Sequence, residues 1–243
     1  MKRLKPEEDA YGQVAWAFFN GNEVYEIAER DDGYISASSL PKIYFSSYDE
    51  WAPYEKKAME YVKGRVLDVG CGAGRHSLYL QGQGFDVLGI DVSPLAVQVC
   101  KLRGLRKAQV MPIDEVNFKQ NSFDTILMMG SNFGLFGSFR KAQRLLKKFY
   151  KMTSKTAYIV AATNDVYKTD NPAHLNYQKA NRMKGRVSGQ IKLRIRYQKY
   201  ATPWFNYLMV SKEEMKTILE GTGWRIKQFI DSEESNYIAI IEK

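Results

Sequence analysis

From residue 65 onward, short apolar runs alternate with amphipathic stretches. The runs predict strands over 65–69, 86–90, 108–112, 123–129 and 157–162, with helices over 74–83, 95–103 and 139–150 between them. The helix over 139–150 shows the pattern well: Ala142, Leu145, Leu146 and Phe149 fall at i, i+3, i+4 and i+7. Repeated β-α units of this length predict a parallel sheet with helices on both faces and right-handed crossovers. After an interruption the rhythm resumes at Ser211-Lys212-Glu213-Glu214, a capped helix start, which runs to the glycines at 221 and 223. Strands over 225–230 and 236–242 close the chain. The short link between them makes the last strand antiparallel to its partner.

Two segments break the alternation. In the first, 1–62, residues 6–19 predict a helix with Pro6 in its first turn and Glu7, Glu8 and Asp9 suiting its dipole, stopped by Gly21. Strands over 24–30 and 34–38 flank Asp31-Asp32-Gly33 as a hairpin. An aromatic stretch with Tyr44, Phe45, Tyr48, Trp51 and Tyr54 leads into a helix ending near residue 62. The second break, 163–210, starts polar over 164–186. Ile191, Leu193, Ile195 and Tyr197 then alternate with Lys192, Arg194, Arg196 and Gln198, a half-buried strand. A turn at 201–203 leads into 204–210, completing a hairpin. The expected fold is α/β and doubly wound, with a mostly parallel seven-stranded sheet and an antiparallel last strand. Segments 1–62 and 163–210 are expected to flank the carboxyl edge of that sheet as a lid that selects the substrate.

Composition narrows the classes. With 243 residues, 44% of them hydrophobic and 26% charged, the chain is globular rather than disordered. Two cysteines, Cys71 and Cys100, with no Cys/His cluster, exclude a disulfide scaffold and a zinc finger; no metal site is expected. The charge-free run over 125–139 is interrupted by Gly130, Ser131, Asn132 and Gly134 and falls short of the about 20 apolar residues a membrane helix needs. No apolar core follows the basic N-terminus, so a secretory signal is not expected, and a cytoplasmic location is. The net charge of +9 concentrates over 139–155 and 179–199, where no acid occurs. Solvated helix and strand faces account for these runs, and a nucleic-acid or acidic-partner surface is the sharper alternative.

The chemistry concentrates in Val66-Leu67-Asp68-Val69-Gly70-Cys71-Gly72-Ala73-Gly74-Arg75-His76, read as strand, glycine loop and helix. Glycines at alternate positions let the chain bend tightly and let a ligand lie on bare backbone. Asp91, 21 residues after Gly70 and at the tip of the next strand, is placed to accept from two ribose hydroxyls. The sheet order is expected to reverse beside the first of these strands, where doubly wound folds bind ligands. A nicotinamide dinucleotide site usually spaces its glycines G-x-G-x-x-G, which this loop does not. Asp68 decides further: a carboxylate there repels a pyrophosphate and attracts an ammonium group. The ligand then carries an amino-acid end and a ribose, and S-adenosylmethionine has both.

These residues resemble the first motif of the class I S-adenosylmethionine-dependent methyltransferases, in Leu67-Asp68-Val69-Gly70-Cys71-Gly72-Ala73-Gly74. Asp91 is similar to that family's ribose-binding acid and Asp114 to its adenine-side acid. Phe123-Asp124-Thr125-Ile126-Leu127 resembles the fourth-strand motif, with Gly130-Ser131-Asn132 after it. The resemblance covers 63–162 and resumes at 211. It implies a Rossmann-like methyltransferase domain over 63–243 with 163–210 inserted. It also implies a cofactor site of Asp68, Gly70, Cys71, Gly72, Gly74, Asp91, Val92, Asp114 and Gly130. Cys71 is read as a packing residue rather than a nucleophile. His76, Asn132, Trp204 and Tyr207 are expected on the acceptor side, and no catalytic residue is assigned. After strand four, Gly130-Ser131-Asn132-Phe133 lacks the (Asp/Asn)-Pro-Pro-aromatic motif of amino-methylating nucleic-acid enzymes, which favours a small-molecule acceptor. The alternatives are an RNA or protein methyltransferase using the basic surface, a non-catalytic S-adenosylmethionine-binding protein and, least favoured, a nicotinamide dehydrogenase.

Overall fold

The computed structural model describes residues 3–38 and 41–243. Met1, Lys2, Ser39 and Leu40, which belong to the expected N-terminal segment, lie outside them. In chain order the N-terminal segment folds as a 3₁₀ turn Pro6–Glu8, α1 (Ala10–Phe19), β1 (Glu26–Arg30), β2 (Ile35–Ser38), α2 (Pro41–Phe45) and α3 (Pro53–Met59). The alternating part follows as β3 (Arg65–Val69), α4 (Arg75–Gly82), β4 (Asp86–Asp91), α5 (Pro94–Leu102), β5 (Ala108–Val110), β6 (Phe123–Met128), α6 (Phe139–Met152) and β7 (Thr153–Asn164). The second break holds α7 (Pro172–Met183), β8 (Gln190–Tyr197), β9 (Tyr200–Ala201) and β10 (Phe205–Leu208). The chain closes with α8 (Lys212–Leu219), β11 (Arg225–Asp231) and β12 (Asn236–Glu242).

One sheet has seven strands in the order β11-β12-β7-β6-β3-β4-β5. The β4–β5 and β6–β7 pairs are parallel, whereas β12 runs antiparallel to both β7 and β11. The order reverses at β3, as the β-α rhythm predicts. Strands β3, β6 and β12 are buried almost end to end, the signature of a sheet covered on both faces. This is the expected α/β architecture, and the antiparallel last strand is present.

A second sheet runs β10-β8-β1-β2, with β9 also paired to β8. The hairpin forms as predicted around Gly33, with Ile27 opposite Ala37. The sequence pattern does not announce that β1 also pairs with β8, Ala28 lying opposite Ile195. Strand β8 is half-buried along most of its length instead of alternating. Arg194 and Arg196 are drawn onto Glu29 at 2.9 and 3.0 Å, and the Arg194 guanidinium also lies 4.7 Å over the Trp204 ring. The stretch 164–186, read only as polar, contains α7. Asn171 caps that helix by accepting from the Ala173 N–H at 2.9 Å, with Pro172 in its first position. Helix 6–19 is likewise split, because Asp9 caps a fresh helix by accepting from the Gly12 N–H. Among the described residues no helix is long and apolar enough to cross a membrane.

Contacts divide the chain into two compact units. The first holds the described residues up to Trp51, Leu67–Val116 and Lys192–Phe205; the second holds Ala52–Val66, Asn117–Ile191 and Asn206–Lys243. The first buries Val97, Cys100, Leu105 and Ala108 around Cys71. In the second, α6 turns Ala142, Leu145, Leu146, Phe149 and Met152 inward and leaves Arg140, Arg144, Lys147 and Lys151 exposed. Phe149 is fully buried, with its ring centroid 6.0 Å from that of Phe136. Phe149→Ala is expected to cost about 3–5 kcal/mol of unfolding free energy in denaturant titration; a loss below about 1 kcal/mol would show that the side chain does not pack there.

Candidate active site

The glycine bend lies wholly in the first unit. Gly70, Gly72 and Gly74 take φ of +78°, +54° and +87°, the left-handed region that side chains resist. At Gly72 space is the second constraint, since a Cβ there would lie 2.5 Å from the Tyr11 hydroxyl oxygen. The bend is tied down by its own amides: Gly70 and Cys71 donate to the Ile90 carbonyl at 2.8 and 3.0 Å, and Gly74 donates to the Cys71 carbonyl at 2.8 Å. Gly72 donates to Asp91 at 2.9 Å. Four amides that could have cradled a phosphate are thus already engaged, and the bend presents bare backbone rather than anion-binding donors.

Two carboxylates sit beside it. Asp68 is 2% exposed and accepts from the Ser77 hydroxyl at 2.6 Å. Burial holds its carboxyl up at about 7 against the pull of Ser77, with the Asp91 charge adding to the rise. Asp91 accepts from the Ser93 and Gly72 N–H groups at 2.9 Å, one on each oxygen. Burial still raises it to about 6, because the amides offset only part of the lost hydration. Among the described residues neither acid has a cationic partner. Two buried acids that repel each other and lack a counter-ion are costly to keep ionised.

The other predicted residues fall as follows. The Cys71 side chain turns into the core, 3.9 Å from the Cys100 sulfur and against Gly89. Its thiol is pushed well up by the contact with Cys100 and by burial, which agrees with packing and not with nucleophilic use. Val92 is half-buried beside Asp91, and Asp114 is half-buried on a 3₁₀ turn, Ile113–Glu115. His76 is buried with its ring 4.6 Å from that of Trp51. Trp204 is 38% exposed under Arg194.

In the second unit, Gly130 and Ser131 both take φ of +63° after β6. Ser131 is held in that unusual conformation by the Tyr207 hydroxyl, which donates to its carbonyl at 2.5 Å, while the Tyr207 ring fills the space a Cβ on Gly134 would need. Asn132 follows, half-buried, at the start of the 3₁₀ turn Asn132–Phe136. Tyr207 therefore sets the shape of the loop that carries Asn132.

Comparison with known proteins bears on the fold and on residues 66–155. Residues 66–155 match the family model of the methyltransferase domain. A crystal structure of an S-adenosylmethionine-dependent methyltransferase from Bacteroides fragilis, in complex with S-adenosylhomocysteine, superposes with a TM-score of 0.84 at 24% identity, covering 99% of this chain and 97% of that one. Residues 66–155 thus carry a methyltransferase domain, and the likeness to the solved structure is one of fold. Shorter similarities reach a tRNA U34 carboxymethyltransferase of Proteus mirabilis (strain HI4320), 39% identical over 79 residues, 28% of this chain and 24% of that protein. They also reach a ubiquinone biosynthesis O-methyltransferase of Xanthomonas euvesicatoria pv. vesicatoria (strain 85-10), 34% identical over 82 residues, 31% of this chain and 34% of that protein. The chain spans no more than 53% of the length of the sequence relatives it matches first.

Around the bend, the residues that the sequence pattern did not single out as part of a site are Asp9, Tyr11, Ser77 and Ser93. Asp9 is fully buried and fastens α1 to α5 by accepting from the Gly12 N–H at 2.9 Å and the Leu95 N–H at 3.0 Å. Only Ser93 left a local trace, as a Ser-Pro helix start whose hydroxyl accepts from the Ala96 N–H at 3.0 Å.

Asp68 dictates a pH dependence. Its folded pKa of about 7 lies above the ordinary 3.8, so the protonated acid favours the fold. That contribution is whole below about pH 4 and drains away as pH rises through 7. Asp68→Asn keeps the Ser77 hydrogen bond and has no proton to lose. In ligand-free protein its melting temperature should gain on wild type by roughly 2–8 °C between pH 5 and pH 8; a difference that stays flat with pH would contradict the buried, unpaired carboxylate.

Proposed function

We propose that this protein transfers a methyl group from S-adenosylmethionine to a small-molecule acceptor. The observation that carries the reading is the pair of buried carboxylates without a counter-ion beside a bend whose amides are already engaged. The residues fit the cofactor at both ends. Asp68 takes the ammonium of the methionine part, and a bound cation draws its pKa back down so that it holds a full charge. Asp91 spends one lone pair of each oxygen on the Ser93 and Gly72 amides and keeps the other for a ribose hydroxyl. Val92 and Asp114, in the same unit, extend this set as adenine-side contacts. When bound, the cofactor supplies an electrophilic methyl on a sulfonium sulfur. The chain contributes position and dryness: a fixed near-attack arrangement is worth up to ~7–11 kcal/mol in such displacements.

A small acceptor follows from the roof over the bend. Asp9 latches α1 onto α5, and a Cβ on Gly12 would meet the Asp9 carboxylate and Ser93 hydroxyl at about 2.5 Å, so the two helices meet without slack. That leaves Tyr11 over Gly72, a lid under which a small molecule fits better than a polymer strand. Within the first unit the N-terminal segment acts as this lid, with His76 and Trp204 on the acceptor side. One observation favours RNA instead, the exposed basic face of α6, formed by Arg140, Arg144, Lys147 and Lys151.

Calorimetric titration with S-adenosylhomocysteine tests the reading. Wild type should bind it, and Asp91→Ala should weaken binding roughly 10- to 100-fold, the loss expected for hydrogen bonds to a charged group. Unchanged affinity in the variant would remove Asp91 from the site, and absence of binding in wild type would end the proposal. Tight RNA binding that falls steeply between 50 and 200 mM salt would favour the polymer acceptor over the small one.

A further inference from the structure

Beside that site, and resting on the reading just given, the first unit buries another acid besides Asp9, Asp68 and Asp91. Glu26 opens β1 and is 6% exposed. Among the described residues its carboxylate has one partner, the Tyr44 hydroxyl of α2, at 3.4 Å from each oxygen, a long and weak bond. Three residues along the same strand, Glu29 receives both Arg194 and Arg196. The shallower acid has two guanidinium groups and the deeper one none. Burial pushes the Glu26 carboxyl up to about 7, with Tyr44 pulling weakly the other way.

Aromatic rings join this acid to the bend. The Tyr44 ring lies 5.4 Å from that of Tyr11 on α1. The Tyr11 hydroxyl lies against the bare Cα of Gly72, and both Glu26 and Asp91 raise its pKa through their charge. A polar and aromatic path therefore runs from Asp91 and Gly72 through Tyr11 and Tyr44 to Glu26. The groups facing Glu26 along it are Tyr44 of α2 and Tyr11 of α1, with Asp91 of β4 at the far end.

We propose that Glu26, framed by Tyr44 and Tyr11, holds the protonated amine of the methyl acceptor and takes its proton. The amine N–H bond gives its proton to a Glu26 oxygen. The freed lone pair forms the nitrogen–carbon bond to the methyl, and the carbon–sulfur pair returns to sulfur, leaving a thioether, a methylated ammonium and a protonated Glu26. A cation relieves a buried carboxylate that has no counter-ion. An alcohol does not, and holds its proton far too tightly for a carboxylate to remove.

The test is calorimetry on protein loaded with S-adenosylhomocysteine, using benzylamine and its near-isostere benzyl alcohol as probes at pH 8. Wild type should prefer the amine. Glu26→Gln should weaken benzylamine about 10-fold or more while leaving benzyl alcohol and S-adenosylhomocysteine affinity unchanged. Equal benzylamine binding by wild type and variant, or no preference for the amine in wild type, overturns the proposal. Should Glu26→Gln fail to fold, Glu26→Asp keeps the charge and shortens its reach: weaker benzylamine with unchanged benzyl alcohol supports the assignment, and unchanged benzylamine overturns it. Failure of wild type to bind S-adenosylhomocysteine is a separate result, which removes the cofactor reading together with this one.

Discussion

The Asp91 carboxylate organises the first unit. Each of its oxygens takes one backbone amide, Ser93 from the start of α5 and Gly72 from the glycine bend, so a single side chain sets the bend's position against the next helix. Those two hydrogen bonds stabilise the ionised form and burial opposes it, and burial wins to the extent of raising the group to about 6. Asp68 stands close enough to feel the same charge and is raised further. Burying two like charges is costly unless something positive joins them. The fold carries this cost beside the glycine bend, where Gly72 leaves room for the Tyr11 hydroxyl.

The glycines are necessary to that arrangement for two separate reasons. Gly70 and Gly74 supply left-handed turns, Gly74 at the entry to α4. Gly72 supplies both a left-handed turn and empty space, into which the Tyr11 hydroxyl projects. A substitution at Gly72 would act on the backbone and on the position of α1 together. The Asp9 latch belongs to the same design, since it ties the first turn of α1 to the first turn of α5, the helix that Asp91 and Ser93 start.

The second sheet changes what the N-terminal segment is. It is neither a tail nor an independent hairpin, because β1 pairs with β8 and its Glu29 meets that strand's arginines. Part of the basic run over 179–199 is thereby neutralised from across the sheet, and Arg182 is held by the Ser188 hydroxyl at 2.8 Å. Charge counted along a chain overstates the field at a surface when pairing brings opposite charge from far away.

By itself the sequence determined the β-α alternation, the antiparallel closing strand, the glycine bend and the pairing of Asp68 with Asp91 at a readable spacing. Each of these is local: hydrophobic period, a turn that requires glycine, and a strand-to-strand distance of about 20 residues. Helix α7 escaped because its apolar face is interrupted, leaving only the Asn171-Pro172 cap as a trace. The rest lay in the tertiary structure. Tyr11 meets Gly72 from 61 positions away, Glu26 meets Tyr44 from 18, and Glu29 meets Arg194 from 165. No periodicity encodes such meetings, because they depend on which strand edges pair and which helices latch, and a residue's own neighbours in the chain carry no record of that choice.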